Sequence, residues 1–486
     1  MEATLNKNAL SNNSRFNAIY NIMAYLYIGF LVIIIMSVGF SPIVFLALLL
    51  TSVIFIIPSH ILGINIIIFM TMIFERWFTL QSLTTEYSIY KIYPLDILII
   101  VTILSWLIYQ MFWQKRKIFF GYAEKILFLF IIVNIIYLLK SFYDINADFE
   151  VAFSTFKNYA FYPLLYLLVV YSIQTKEQFK NTLHIILLGG IAIISFIVIG
   201  FINGVGLWTE YTPLSTSGVR LLAGTHAYYL MITTIIGTSL LAFNRFRNKG
   251  ITSLILIIWI LGISVSLMRH LWLSLFVGLT FLLVLIPITN RKNLTRLAVK
   301  SLIVMITLAI TILLIVNIFP LYSFSESFND SYLVITERIT SIGNGGVDTS
   351  IGWRLEFWQT AKKMWLESPI IGVGFGKKLA LELGEWQTFE EIRNIHNSPL
   401  AITIQIGVMG IGLFGLFIIT SLFGSIKSIF KDKELQPYYI GLFAAICAIL
   451  FASLFQPYLE TNLTGIFLWI LLGLFRTGVI INKQEA

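Results

Sequence analysis

The sequence predicts an all-α, polytopic membrane protein with about 14 transmembrane helices and one long external loop that contains an amphipathic helix. Its 486 residues are 58% hydrophobic and only 12% charged, whereas soluble domains carry about 25% charged residues. Apolar runs of about 20 residues, the length a helix needs to cross a bilayer, recur along the chain. The runs are continuous and do not alternate with polar residues, which excludes an outer-membrane β-barrel.

Fourteen apolar runs are the predicted spans. They occupy residues 19–39, 41–57, 60–74, 94–113, 122–142, 159–174, 182–202, 225–243, 251–267, 271–288, 299–319, 398–422, 438–456 and 460–475. The runs at 60–74 and 159–174 are short for a full crossing and are also compatible with tilted, re-entrant or interfacial segments. The sequence predicts a single membrane domain over residues 1–486, with residues 320–397 as its long external loop.

Basic residues set the predicted orientation. With the N-terminus inside, twenty of the 33 Lys and Arg residues fall in cytoplasmic segments, and seven of the others lie in the 320–397 loop. The positive-inside rule discounts such long loops. The sequence therefore predicts a multi-pass protein of the cytoplasmic (inner) membrane with both termini cytoplasmic. The net charge of +9 then reflects topology and does not indicate nucleic-acid binding.

The external loop contains a predicted amphipathic helix and a glycine-rich turn. At about 100° per residue, six apolar side chains share one face of this helix: Trp353, Phe357, Trp358, Ala361, Met364 and Trp365. Arg354 falls in the middle of that face, where a helix lying on a membrane seldom places a charge. Pro369 ends the helix, and Gly372–Gly376 is predicted to be a flexible, backbone-exposing loop. The opposite face carries Glu356, Gln359, Lys362 and Lys363.

Arginines and a histidine are predicted to gather at the outer face. Arg269 lies in a turn of about three residues between two apolar spans, and a charge so close to the bilayer by default suggests function. Arg220, Arg354 and His396 lie in other external segments. Guanidinium groups bind phosphate oxygens bidentately, and a neutral histidine can accept a hydroxyl proton near pH 7. This combination suits an anionic ligand and a hydroxyl nucleophile at the membrane surface.

Each of these residues also has a simpler structural interpretation. Arg269 is compatible with snorkelling to lipid headgroups, Arg220 with a solvated loop charge, and Arg354 with a helix-surface arginine shielded by its neighbours. His396 taken alone favours a capping or interface histidine. A group of acidic residues in the same loop has no spacing diagnostic of a cation site, so a solvated surface is favoured for Glu382, Glu385, Glu390 and Glu391.

The 352–425 region resembles the hallmark region of the O-antigen ligase and polymerase (WaaL/Wzy) family. WRLEFWQTAKKMWLESPIIGVGFG and IHNSPLAITIQIGVMGIGLFGLFI have the family's Arg on an amphipathic helix, Pro-(apolar)₂-Gly-x-Gly-x-Gly, His-Asn and a Gly-x-x-Gly span. GVRLLAGTH resembles its Arg-x-x-Gly-Thr segment. SLMRHLW resembles its Ser-Arg turn, although two residues separate Ser266 from Arg269, and Gln405 stands where Glu is commoner. The resemblance covers roughly residues 200–425.

The resemblance implies a glycosyltransferase that needs no metal or cofactor and acts on polyprenyl-diphosphate-linked glycan at the external face. In that family scheme Arg220, Arg269 and Arg354 bind the diphosphate, and His396 is the base that deprotonates the acceptor hydroxyl. The residues expected to support the site are Gly372, Gly374, Gly376 and Asn397.

The favoured function is a polysaccharide polymerase that joins lipid-linked repeat units. Its expected partners are the glycan donor, the glycan acceptor and the bilayer, with a chain-length regulator as a further candidate. One alternative is a ligase that transfers finished glycan to lipid A core, and another is a cell-wall (teichuronic-acid type) polymerase. A lipid-linked-oligosaccharide flippase would show related halves and a charged central path. A loop that acts as a binding module regulating chain length is a third interpretation, against which the apolar-face Arg354 argues.

Overall fold

The computed structural model describes residues 42–73, 92–114, 120–202, 224–266, 268–318, 349–383, 386–424 and 426–485, with single residues at 22, 26, 27, 29, 30 and 33. The predicted span at 19–39 and the predicted site residue Arg220 lie outside the described residues.

The described residues are mostly helical, which confirms the all-α class. The helices are α1 Pro42–Ile56, α2 His60–Ile73, α3 Pro94–Tyr109, α4 Tyr122–Tyr143, α5 Phe149–Phe156, α6 Leu164–Ser172, α7 Lys176–Ile202, α8 Gly224–Ala242, α9 Lys249–Val265, α10 Arg269–Leu285, α11 Ile288–Ile318, α12 Thr349–Glu367, α13 Ser398–Phe423, α14 Ile426–Ile429, α15 Gln436–Ala452 and α16 Asn462–Glu485. There are also π-helical turns at Gln110–Gln114 and Lys157–Phe161 and a 3-10 turn at Ile392–Asn394.

The sequence did not predict the antiparallel hairpin of β1 Lys378–Leu383 and β2 Trp386–Glu391, in which Lys378 pairs with Glu391. The hairpin follows directly after the glycine-rich turn. Its strands alternate side chains between two faces, so Leu379 is buried while its neighbour Lys378 is exposed. The buried face packs against α12.

Most predicted spans coincide with helices, and these helices differ in length. Among the described residues, four helices are long and apolar enough to cross a membrane: Pro94–Phe112, Tyr122–Tyr143, Lys176–Ser195 and Ser398–Phe423. Shorter apolar helices lie on further predicted spans at Leu46–Ile56, His60–Ile73, Lys249–Ser264, Arg269–Leu285, Gln436–Ala452 and Asn462–Gly478. The span predicted at 159–174 is divided between the π-helical turn and α6. The count of about 14 spans stays a prediction.

The core is built around α8. Every residue of this helix from His226 to Ala242 is buried, as expected of a helix that is apolar on all sides. It packs against α9, α10 and α15. A second layer pairs α16 with α6 and α13 with α4. This bundle places the chain turns at its two ends.

The turns that the sequence assigns to one side of the membrane contact one another. At one end Lys176 forms an ion pair of 3.0 Å with Asp432, and Arg245 Nη2 donates to the Lys433 carbonyl at 2.9 Å. At the other end Lys377 pairs with Asp144, and Lys378 pairs with Asp148, each at 2.7 Å. The first set was predicted to be cytoplasmic and the second external. Which end faces the cytoplasm stays a prediction.

Helix α13 is interrupted at Gly407, whose φ of 72° and ψ of −170° are not helical. The segment Pro369–Gly374 is inserted at this break. The amides of Val373 and Gly374 donate to the carbonyls of Ile404 and Gln405 at 2.9 and 3.0 Å. The amides of Val408 and Met409 donate to the carbonyls of Pro369 and Ile370 at 3.0 and 3.2 Å. The break removes the helical bonds from Val408 to Ile404 and from Met409 to Gln405. All four of these backbone groups have new partners in the inserted segment, as buried backbone groups require.

The insertion depends on two glycines that face each other. A Cβ on Gly407 would lie 2.1 Å from the Ile370 carbonyl oxygen, and a Cβ on Gly372 would lie 2.5 Å from the Gly407 amide nitrogen. Both residues also have positive φ, which side chains disfavour. The turn is thus held by backbone hydrogen bonds at this point, and it differs from the flexible, backbone-exposing loop that the sequence predicted.

Gly407→Ala is expected to destabilise the protein strongly. The left-handed backbone alone costs about 1–3 kcal/mol for a residue with a side chain, and the Cβ would also displace the inserted segment. Gly412→Ala is the matched control on the same helix, because its Cβ would meet nothing within 4 Å. Thermal unfolding of both detergent-purified variants measures the difference. Equal melting temperatures would contradict the insertion.

Candidate functional site

His396 lies at the junction between the 3-10 turn and α13 and has a left-handed backbone, with φ of 56°. Such a conformation is uncommon for a residue other than glycine and needs support from its surroundings. The support comes from both sides. Trp358 Nε1 donates to the Ile395 carbonyl at 2.9 Å, and the Ser398 amide donates to the Ser453 carbonyl at 2.9 Å. Asn397 caps α13 by accepting from the Leu400 amide at 3.0 Å.

The imidazole of His396 is oriented by Gln456, whose Oε1 lies 2.7 Å from Nδ1. An amide oxygen can only accept a hydrogen bond, so Nδ1 carries the proton and Nε2 carries the lone pair. Burial lowers the pKa of His396 below its usual range, the bond to Gln456 opposes this effect, and the positive charge of Arg354 lowers the pKa further. The ring is therefore neutral at pH 7 and has one basic nitrogen, as a general base requires.

Arg354 reaches this region from α12. The helix buries Phe357 and Ala361 against Ile392 and Ile395, which precede the histidine, while Lys362 and Lys363 on its other face are exposed. The structure thus agrees with the predicted amphipathic helix. Arg354 is half-buried, and its charge acts on His396. The two residues predicted from the sequence motif are therefore brought together.

The turn that joins α15 to α16, residues 453–461, holds several parts of the site. Gln456 contacts His396, and two residues later Tyr458 OH lies 2.7 Å from His270 Nε2. His270 follows Arg269 at the start of α10. His396 and the neighbour of Arg269, His270, are thus tied to the same turn, although 126 residues separate them in the chain.

Glu460, in the same turn, is a buried acid next to the site. Its carboxylate accepts hydrogen bonds from Tyr159 OH and Ser398 Oγ, and its carbonyl accepts from Asn158 Nδ2 at 2.6 Å. Ser398 is only two residues from His396, so Glu460 fixes the start of α13 behind the histidine.

Sequence reasoning did not single out Gln456, Tyr458 or Glu460. A signal was present, because FQPYLE is a polar and aromatic interval between two apolar spans, and an acid at the edge of a span is costly unless it is needed. The glycines that the sequence predicted to support the site have definite contacts, and their role in the site stays a prediction. Gly372 and Gly374 join the loop to α13, and the Gly376 carbonyl accepts from the Asp148 amide at 2.9 Å.

Two other sequence features have definite positions. Gln405 is buried two residues before the break at Gly407. Its Nε2 has no hydrogen-bond partner among the residues that the structure describes. Of the acidic group in the external loop, Glu391 pairs with Arg393. In the part of the chain that is described, no three His, Cys, Asp or Glu side chains are grouped as metal ligands.

These features define a class of membrane protein in which a bundle of apolar helices carries a neutral histidine and a neighbouring arginine at one end. The O-antigen ligase family model, Wzy_C, matches residues 253–415, and this match confirms the resemblance found in the sequence. The matched segment contains Arg269, Arg354 and His396, while Gln456 and Glu460 lie beyond it. No curated protein matches the chain. The matched family is described as O-antigen ligase, and the match covers about a third of the chain.

Gln456→Glu is expected to raise the pKa of His396 by about 1 unit or more, because a carboxylate stabilises the imidazolium that an amide does not. The measurement is the pH dependence of diethylpyrocarbonate modification, which requires the neutral ring, followed by mass spectrometry of the His396 peptide. His184, exposed on α7, is the internal control and should keep its profile. An unchanged midpoint for His396 would show that Gln456 does not set its proton position.

Proposed function

We propose that this protein is a polysaccharide polymerase that joins polyprenyl-diphosphate-linked repeat units at the external face of the cytoplasmic membrane. The observation that carries the proposal is the oriented, neutral His396 beside Arg354, within the segment that matches the O-antigen ligase family. A base with its lone pair on Nε2 suits the removal of a hydroxyl proton. A guanidinium group suits a diphosphate.

In the proposed reaction the acceptor sugar's hydroxyl gives its proton to His396 Nε2 while its oxygen attacks the anomeric carbon of the donor. The bond between that carbon and the diphosphate oxygen breaks, and the electron pair leaves with the lipid diphosphate. A single displacement of this kind inverts the anomeric configuration. Arg354, with Arg269 and Arg220, stabilises the negative charge that develops on the leaving group.

Gln456 acts in this scheme as a positioning residue. Its amide oxygen holds the proton on Nδ1 and so keeps Nε2 basic during the attack. As Nε2 takes up the proton, the same oxygen hydrogen-bonds the resulting imidazolium. Arg354 acts in the opposite sense, because its charge favours the neutral ring before reaction.

The second candidate function is a ligase, which the family description favours by name. A ligase uses the same base and the same leaving group, and differs only in its acceptor, which is lipid A core or a cell-wall glycan. The size of the product distinguishes the two activities. A flippase would move the lipid-linked substrate without forming a new glycosidic bond.

His396→Ala is expected to lower the rate of glycosyl transfer by about 10²–10⁴-fold, the usual contribution of a general base. The assay uses purified protein, a lipid-diphosphate-linked repeat unit and product sizing. The control is His184→Ala, which replaces a histidine nearer the other end of the bundle. This variant should keep its activity. A series of products that grow by one repeat unit indicates a polymerase. Transfer only to added lipid A core or wall acceptor indicates a ligase. Substrate crossing a vesicle bilayer with no transfer would refute the enzyme proposal.

Arg354→Lys is also expected to be severely impaired, because an ammonium group cannot reproduce the two parallel hydrogen bonds of a guanidinium to phosphate oxygens. The same assay measures it. Lys362→Gln changes an exposed charge on the opposite face of α12 and should have little effect. Full-length polymer made at a normal rate by Arg354→Lys would remove this residue from the mechanism.

A further inference from the structure

A cavity of about 280 Å³ opens between α5 and the β hairpin, at the same end of the bundle as His396. We call it the hairpin cavity. Its volume is close to the ~300 Å³ lower bound of small-molecule sites, so it suits one small ring. The residues that define its chemistry are Tyr93, Asp148, Phe153, Ser154, Lys157 and Arg393.

The three cations that line the hairpin cavity are each paired with a carboxylate. Lys378 lies 2.7 Å from Asp148, and this hydrogen bond holds the pKa of Asp148 below its usual range. Arg393 pairs with Glu391, and the buried Lys157 lies 2.8 Å from Asp96. An anionic ligand would have to displace a carboxylate from each cation. The wall therefore favours an uncharged ligand.

The wall is nevertheless rich in hydrogen-bonding groups held in fixed positions. Arg393 Nη1 donates to Ser154 Oγ at 2.6 Å, and the Lys157 ammonium lies 4.2 Å from the centre of the Tyr93 ring. Carboxylate oxygens, a hydroxyl and N–H donors thus alternate around the cavity, beside the rings of Tyr93 and Phe153. A sugar ring presents the complementary surface, with hydroxyl groups that both donate and accept at its rim and C–H groups on its faces.

The hairpin cavity is also close to the proposed base. Arg393 precedes His396 by three residues, so their Cα atoms lie within about 11 Å of each other even for an extended chain. The 3-10 turn at Ile392–Asn394 shortens this distance further. The same glycan could therefore reach both the cavity and the reacting hydroxyl beside His396.

We propose that the hairpin cavity is a saccharide subsite that binds one uncharged sugar residue of the glycan substrate. This inference rests on the proposed glycosyl transfer for the identity of its ligand. Donor and acceptor glycan share this chemistry, and kinetics distinguish them. A defect in the subsite raises KM for a soluble acceptor oligosaccharide if the acceptor is bound, or for the lipid-linked donor if the donor is bound.

The test is Ser154→Trp, which fills the hairpin cavity, compared with Phe389→Trp, a similar ring at a position of the same hairpin that is 66% exposed. Binding of glucose, galactose, mannose and N-acetylglucosamine to the full-length detergent-purified protein is followed by saturation-transfer NMR. At least one sugar should bind, and Ser154→Trp should weaken it by roughly tenfold or more, while Phe389→Trp should not. No binding by any of the four sugars, or equal binding by both variants, overturns the proposal.

Inorganic pyrophosphate separates this proposal from the proposed function. Pyrophosphate binding reports on the proposed diphosphate ligands Arg220, Arg269 and Arg354, and it should be unchanged in Ser154→Trp. If the unaltered protein binds the sugar but transfers no glycan, the result counts against the proposed glycosyl transfer and not against the subsite.

If Ser154→Trp fails to fold, Ser154→Cys in a Cys447→Ala background gives a second readout. Cys447 is the single cysteine of the chain, so its replacement leaves one thiol. The sugar should slow labelling of this thiol by an impermeant reagent, and an unchanged rate overturns the proposal.

Discussion

The backbone insertion of Pro369–Gly374 into the break of α13 is the interaction on which the rest of the site depends. The inserted segment and the break in α13 supply hydrogen-bond partners for each other's backbone. Glycine at both 372 and 407 lets the two backbones approach. The break lies about 14 Å along the helix from Ser398, at 1.5 Å per residue. Non-helical backbone at such a depth is tolerated only when protein covers it. The inserted segment therefore fixes the position of α12 on one side and of the hairpin on the other.

The site is assembled from segments that are distant in the chain because each is fixed to the same few supports. Helix α12 brings Arg354 and packs on the residues before His396. The 453–461 turn holds His396 through Gln456 and His270 through Tyr458. Glu460 joins this turn to Ser398 and to Tyr159. A buried network of this kind is rigid when all its members are paired, which suits a base that must keep one proton in one place.

The sequence predicted the parts of this arrangement that have a local signature. Continuous apolar runs located the helices, and 3.6-residue periodicity located α12 with Arg354 on its apolar face. The hairpin was missed because its buried and exposed positions alternate over only six residues per strand. Gln456 was missed because a polar residue in a short turn does not by itself reveal which distant side chain it contacts. Its importance comes from a contact with a residue 60 positions away. The loop was expected to be flexible because it is rich in glycine, whereas its hydrogen-bond partners lie in another helix.

The position of Gln456 has a consequence for how the protein is divided. The family match ends at residue 415, yet the side chain that sets the tautomer of His396 lies 41 residues beyond it. The segment that the family model matches is therefore not an independent structural unit. A chimaera that exchanged residues 253–415 between two such proteins would leave the histidine to be oriented by a foreign turn. Divergence of α15, α16 and the turn between them can therefore retune the base while the motif itself stays unchanged.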